Sequence, residues 1–498
     1  MTTTSSTTSG STAARTGGTV PAPRPAWVDD VVARAGSVPP IPGFPTVDEL
    51  SGRFHALAAQ FPDLVRVRRV GTSRLGEPIE CFEVGEQDPG LPVNLVVGGV
   101  HPNEPVGACT SLHLARELCT DAALRRDLGA VWHVVPCIDP DGARLNEGWF
   151  AGPFERGHYS RHFYRPAPAE QVEWSFPFAH KGCYFDAPTP ETLALMRLID
   201  DLRPRLLVAL HNGEMGGVYY YVSRALPGLV EALHAVPAAL GLPLDLGEPE
   251  NPVAPVLGDA VFGLPGLGEV LDLLEELGVD PADHQGGTSS AEWAHRHGTF
   301  SLVAELPYWS HPAADDTTPT TRTQREVLTA KADALAADGR ELTGILAAAE
   351  PHLTEPRTGP PTPFLRASRA FVPMFADVAR HDRARAADPA AQRPATVAEE
   401  FSAADFVRMF RLRYGGMLVR ALAAPVAGGL AGPELRRLHR RAADLLEDWQ
   451  QDAARLRGTQ RLDIADLVGV QYGSTLATAL ALRDEAAEPS AELPAGPS

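Results

Sequence analysis

The sequence predicts an α/β fold, a mixed and mostly parallel sheet flanked by helices, followed by an α-helical C-terminal region. Three observations predict it. Short β-rich runs alternate with helical periods between residues 40 and 320, which implies a sheet covered on both faces. Several of these runs, such as LLVAL at 206–210, are apolar throughout, as strands buried on two faces are. Beyond about residue 320, Ala-, Leu- and Arg-rich segments near 324–349, 397–424, 433–457 and 460–484 read as helices, with no further strand of note.

The elements follow in order. The first 25 residues are rich in Ser, Thr, Gly and Pro, a composition that buries too little apolar surface to offset chain entropy. Residues 1–39 are therefore expected to be a disordered arm. Thr46 and Glu49 form a capping-box pattern, and Leu50, Phe54, Leu57 and Phe61 recur at helical spacing. Strands are expected at 64–70, 78–84 and 93–100, the first two joined by the Gly-containing turn GTSRLGEP. A helix over 105–119 and an apolar strand at 131–137 come next. Thr189-Pro190 starts another helix, with a cap residue and then Pro at the first helical position. Buried strands at 206–210 and 301–306 complete the domain spanning 40–320, and the alternation of Tyr219, Tyr220 and Tyr221 suggests a half-buried strand. The helical region is expected over 321–484, interrupted by the Pro-rich linker EPRTGPPTP (355–363), with a disordered tail at 485–498.

Composition restricts the function. The chain has 498 residues and a net charge of −19, from 44 Lys+Arg against 63 Asp+Glu. That acidic surplus argues against a nucleic-acid partner. The basic run at 436–441 reads as a solvated helix face. No apolar run approaches the ~20 residues needed to cross a bilayer, so no membrane role is expected. The N-terminal stretch lacks the apolar core of a secretory signal, and the five cysteines form no CxxC pair. These features point to a cytoplasmic protein.

Chemistry enters at strand ends. NLVVGGV runs directly into His101-Pro102-Asn103-Glu104, and in open α/β sheets the binding crevice lies at the carboxyl ends of strands. The H-x-x-E spacing lets an imidazole and a carboxylate converge on one metal ion. The strand LLVAL also ends in a histidine, His211, which offers a third ligand. Glu305 sits inside the otherwise apolar SLVAELPYW. A buried carboxylate there is costly unless paired or close to a cation, so it belongs either to a structural ion pair or to a general base beside a metal.

With these residues in view, the sequence over roughly 45–310 resembles the zinc carboxypeptidase family of metallopeptidases, as an atypical, bacterial-type member with the carboxypeptidase A-like fold. The resemblance rests on His101-Pro102-Asn103-Glu104, the turn Asp139-Pro140-Asp141-Gly142, His211 and Glu305-Leu306-Pro307, in that order. GTSRLGEPIECFEVG is similar to the family's entry hairpin, and GGTSSAEW (286–293) to its Gly-Gly-Ser…Trp segment. The resemblance implies one Zn²⁺ per chain held by His101, Glu104 and His211, with Glu305 as general base and Arg144 as the carbonyl-polarising arginine. It also makes Glu173 a candidate to orient a zinc-bound histidine from outside the ligand set.

The pattern also departs from the family. Typical members carry Val-Asp-x-Asn-Arg-Asn-Phe-Pro, whose Asn-Arg pair grips the substrate's terminal carboxylate; here the chain reads Val172-Glu173-Trp174-Ser175-Phe176-Pro177. Arg156, Arg161 and Arg165 are the nearby candidates for the missing guanidinium, with Arg161, Arg165 and Tyr221 put forward for substrate contact. The leading expectation is a metallocarboxypeptidase that hydrolyses the C-terminal amide bond of a peptide or peptide-like substrate. Two alternatives stand beside it: an N-acyl-amino-acid deacylase of the aspartoacylase and succinylglutamate desuccinylase type, and a non-catalytic binding protein on the same fold. The helical region is a further candidate surface for homo-oligomer contacts.

Overall fold

The computed structural model describes residues 25–86, 88, 90–249, 253–276, 280–284, 286–353 and 361–487. Most of the expected arm, tail and Pro-rich linker thus lies outside the described residues.

Its centre is a nine-stranded sheet. In chain order the strands are β1 (Val65–Thr72), β2 (Pro78–Val84), β3 (Val93–Val97) and β4 (Val131–Val135). A separate hairpin of β5 (Phe178–His180) and β6 (Cys183–Phe185) follows. The sheet resumes with β7 (Leu206–Leu210), β8 (Tyr219–Val222), β9 (Val256–Gly258), β10 (Val261–Gly263) and β11 (Phe300–Glu305). Their spatial order is β1-β2-β4-β3-β7-β11-β8-β10-β9. The sheet is mixed, and the four strands β4-β3-β7-β11 at its centre are parallel. β4, β7 and β11 are buried along their whole length, which explains their largely apolar sequences. Because these parallel strands share one direction, His101, His211 and Glu305 all come to the same edge of the sheet.

Alternation divides each strand between two cores. Leu95, Val97, Leu207, Ala209 and Val303 face one side, where they meet Leu195, Leu198 and Ile199 of the helix Pro190–Leu202. Val96, Leu206, Val208, Leu210, Leu302 and Ala304 face the other. On that second side lie α1 (Trp27–Ala35), the helices Val106–Thr120 and Leu229–Ala239, and the last described helix, Ile464–Ala487. Residues of Ile464–Ala487 are buried almost without interruption up to Leu482, because it packs among those three helices and against β7 and β11. The C-terminal helical region is thus continuous with the core of the sheet.

Four expectations are corrected. α1 lies inside the stretch read as a disordered arm; Val28, Val31 and Ala35 are buried on one face of it, and that burial offsets the polar composition around it. A helix at Pro363–Ala387, with Pro373 in its interior, follows the Pro-rich segment, whose prolines read as a linker. Short strands do continue past residue 320: Gln460–Arg461 pairs with Trp309–Ser310, and Pro394–Thr396 with Pro319–Thr323, which ties the helical region to the sheet domain. The last described helix also runs to Ala487, past the expected start of the tail. Among the described residues no helix is long and apolar enough to cross a membrane.

One close approach fixes how the helical region meets the site. The helix Val397–Ala427 crosses the short helix Arg156–His162 so tightly that a Cβ on Gly416 would lie 2.0 Å from the Ser160 carbonyl oxygen. Backbone cannot yield as a flexible side chain can. Gly416→Ala is therefore expected to destabilise the protein by about 1–3 kcal/mol, read as a lower thermal midpoint; an unchanged midpoint would show that the two helices separate freely.

Candidate active site

Three of the expected residues meet at the carboxyl end of the sheet. His101, Glu104 and His211 offer ligand atoms that lie within 4.8 Å of one another, all buried. His101 Nδ1 is 3.2 Å and His211 Nδ1 3.3 Å from the same atom, Glu104 Oε2. The two imidazoles stand edge to face with centroids 4.8 Å apart. The sequence explains the convergence: His101 and Glu104 share the turn after β3, His211 directly follows β7, and these strands are adjacent. The Asn212 backbone N–H also donates to Glu104 Oε2 at 3.2 Å, and Tyr308 Oη donates to the Asn103 carbonyl at 2.8 Å. Glu305, the last residue of β11, completes the cluster with Oε1 3.7 Å from His211 Nδ1.

The donor set fits a zinc ion. Two imidazole nitrogens and one carboxylate oxygen are the ligand types zinc takes in open, three-ligand protein sites. Moreover, His211 Nδ1 is buried 3.3 Å from Glu104 Oε2 without good hydrogen-bond geometry to it, a placement that suits a cation held between the two. Burial and the Arg165 charge push the His101 pKa down to about 3, so its imidazole is neutral and its lone pair available. At His211 burial also acts to lower the pKa, but the Glu104, Glu305 and Glu173 carboxylates outweigh it and raise the value to about 9. The Glu104 carboxyl is held well below its ordinary range: burial opposes ionisation, and the His101, His211 and Arg165 partners overcome it.

Arg165 is the guanidinium at this centre. Its Nη2 lies 2.8 Å from His101 Nδ1, its Nη1 donates to Glu104 Oε1 at 3.4 Å, and its Nε donates to Gln171 Oε1 at 3.0 Å. Arg144, to which the resemblance assigned carbonyl polarisation, is elsewhere. It ends the helix Pro140–Arg144, where its Nε donates to Glu77 at 2.8 Å and its Nη2 to Asp48 at 2.6 Å. Arg161 likewise turns away from the centre and donates to Gln450 of the helix Pro433–Ala454. Tyr221 lies in the core beside Phe262 and Tyr219, opposite Val303 in the sheet register, with ring centroids 5.6 and 6.0 Å away.

Glu173 is buried near His211, but its hydrogen bonds come from Ser290, whose Oγ lies 3.0 and 2.9 Å from its two oxygens. Burial raises its pKa, and it acts on His211 through space rather than by orienting the ring. The neighbouring Trp174 is the one that touches a ligand: its indole N–H donates to His101 Nε2 at 3.1 Å. Sequence reasoning named Trp174 only as a departure from a pattern.

The helical region supports this centre through contacts no local motif announces. Gln471 is fully buried; its amide N–H donates to the His211 carbonyl at 2.7 Å, while its Oε1 accepts from Thr110 Oγ1 at 2.7 Å. Three residues after His211, Glu214 accepts from Arg156 at 2.9 Å and from Arg413 at 2.7 Å, and Asp405 accepts from Arg156 at 2.6 Å. All four of these charged groups are buried. The only advance signal was a carboxylate placed so close to a strand-end histidine.

Comparison with known proteins agrees with this geometry. Residues 53–238 match the family model described as zinc carboxypeptidase, a stretch that carries His101, Glu104 and His211 and ends before Glu305. Over these residues the chain is similar to the zinc carboxypeptidase family. The chain is 28% identical over 97 residues to carboxypeptidase B of Astacus astacus, covering 19% of the chain and 32% of that relative. It is 27% identical over 111 residues to carboxypeptidase E of Caenorhabditis elegans, covering 20% of the chain and 23% of the relative. It thus spans about a third or less of each of these relatives. Among solved structures it resembles carboxypeptidase A from Helicoverpa armigera, with a TM-score of 0.34 and 17% identity over 57% of this chain and 71% of that one. A metallo-carboxypeptidase from Burkholderia cenocepacia matches with a TM-score of 0.32 and 18% identity over 52% and 60%.

Proposed function

We propose that this protein is a metal-dependent hydrolase that cleaves the amide bond to the terminal unit of a peptide or peptide-like substrate. The observation that carries the reading is the meeting of two Nδ1 atoms at one Glu104 oxygen with the Glu305 carboxylate 3.7 Å from His211. His101, Glu104 and His211 are the residues that would hold zinc. The chemistry such an ion supplies when bound is Lewis acidity, which acidifies a water and polarises a carbonyl.

The chain's own groups do the rest. Glu305 takes a proton from the attacking water and returns it to the leaving nitrogen. Arg165, which lies beside His101 and Glu104, is the guanidinium that would face the negative charge developing on the carbonyl oxygen. The buried walls around Glu305 exclude bulk water and strengthen these interactions. The five cysteines are free thiols, in keeping with a reducing compartment, and we place the protein in the cytoplasm.

A hydrolysis screen on the purified zinc-loaded protein tests the reading, with zinc per chain measured by elemental analysis. Outer-sphere partners of a metal ligand are worth roughly 10–100-fold in affinity, so losing a direct donor costs more. His101→Ala and His211→Ala are each expected to weaken zinc binding by more than about 100-fold. Full zinc occupancy in either variant at the wild-type affinity would remove that residue from the ligand set.

A further inference from the structure

Arg165 ends a segment whose backbone is held largely from outside it. His162 and Phe163 close the short helix Arg156–His162, and their carbonyls accept from Arg420 Nη1 at 2.6 and 3.1 Å. Tyr164 exchanges two hydrogen bonds of 2.9 Å with the buried side chain of Asn146. The Arg165 N–H points at Met417 Sδ at 3.5 Å. Arg420 Nη2 also donates to the Leu145 carbonyl at 3.0 Å, so one guanidinium ties residue 145 to residues 162 and 163. Met417 and Arg420 share the helix Val397–Ala427 with Gly416, which meets Ser160 so closely.

Arg420 is placed at a cost. Among the described residues no carboxylate pairs with it; its partners are three backbone carbonyls and the Phe364 ring, whose centroid lies 4.0 Å from the guanidinium carbon. Burial pushes its pKa down to about 10. The other buried arginines of this interface, Arg156 and Arg413, face Glu214 and Asp405 instead. A cation at the last carbonyls of a helix is a common cap, but capping the helix Arg156–His162 requires no bond to Leu145. The rigid planar fork instead fixes two segments in one relative placement. Leu145 precedes Asn146, so the same fork also sets the side chain that grips Tyr164.

We propose that Arg420 is a positioning residue for Arg165: from the C-terminal helical region it fixes the backbone at 162–164 and so aims the Arg165 guanidinium at the centre. The proposal deepens the hydrolase reading above and rests on it for what Arg165 does there. Arg420 holds backbone carbonyls rather than ligand side chains, so it acts on the reaction only through Arg165. A misplacement of about 1 Å at a reacting group is worth up to about 100-fold in rate, which gives a distant anchor its effect.

The test uses the full zinc-loaded chain and a peptide cleaved in the hydrolysis screen. Arg420→Met, which keeps an apolar stem and removes the fork, is expected to lower kcat by roughly 10–100-fold at unchanged zinc content, with KM little altered. Arg165→Ala is expected to cost roughly 10²–10³-fold, and adding Arg420→Met to it less than about threefold more. Arg420→Lys keeps a cation at the helix end, and with it the fold, and is expected to lose kcat in the same non-additive way. Losses that multiply in the double variant, or full activity in either Arg420 variant, overturn the proposal and leave the hydrolase reading standing. Crystal structures of the wild type and both Arg420 variants give a second readout: the Arg165 guanidinium is expected to shift by about 1 Å or more, and an unmoved Arg165 overturns the proposal. A shifted Arg165 with no turnover of any peptide by the wild type supports the positioning and defeats the hydrolase reading.

Discussion

Replacing Glu305 with Gln is expected to leave zinc content unchanged and to lower kcat by roughly 10²–10⁴-fold. The substitution is nearly isosteric and removes only the basic oxygen. Glu305 lies 3.7 Å from His211 Nδ1 rather than at the point shared by both imidazoles and Glu104, so it is placed beside the ligands and outside them. The same separation predicts that Glu305→Asp, which withdraws the carboxylate by one methylene, also loses activity while keeping the metal. The measurement is single-turnover hydrolysis alongside elemental analysis. If Glu305→Gln stayed within about threefold of wild type, far inside the range for a lost general base, another group would have to take the proton. If zinc fell with activity, Glu305 would instead be a ligand.

The parts of the site that were legible in the sequence are those set by local rules. Strands buried on both faces are written as apolar runs, and the residue that ends such a run is exposed to the crevice beyond it, which is why His101, His211 and Glu305 could be picked out. The capping box at Thr46 and Glu49 is formed as its spacing implies. What was not legible depends on contacts between distant parts of the chain. Arg144 follows the Asp-Pro-Asp-Gly turn, as the resemblance leads one to expect, but the one-turn helix it ends aims it at Asp48 and Glu77. Arg165 has no motif of its own, and only the folded loop brings it to His101. Gln471 lies 260 residues from the carbonyl it holds, and Arg413 lies 199 residues from Glu214. α1 escaped notice because three buried side chains in nine residues carry little weight beside a Ser- and Thr-rich flank.

Glu214→Ala is expected to cost about 3–5 kcal/mol of stability, because it strands two buried guanidiniums against a single carboxylate. In the intact protein the account is neutral: Glu214 and Asp405 face Arg156 and Arg413, with Arg413 also lying 5.2 Å over the Phe163 ring. Loss of the carboxylate leaves Arg413 without an ion-pair partner among the described residues, in a place where water cannot replace it. The effect should reach the metal as well, since Glu214 closes the loop that begins at His211 and its carbonyl accepts from the Tyr308 and Trp309 amides at 3.0 and 3.1 Å. Zinc affinity is therefore expected to fall together with the denaturation midpoint. The double variant Glu214→Ala/Arg413→Ala separates charge imbalance from lost packing. With one anion and one cation removed, the remaining Arg156–Asp405 pair is balanced, and the double variant should be more stable than the sum of the two single losses by roughly 1–3 kcal/mol. Simple additivity of the two substitutions would mean that the four groups do not act as a unit and that the helical region does not brace the His211 loop through them.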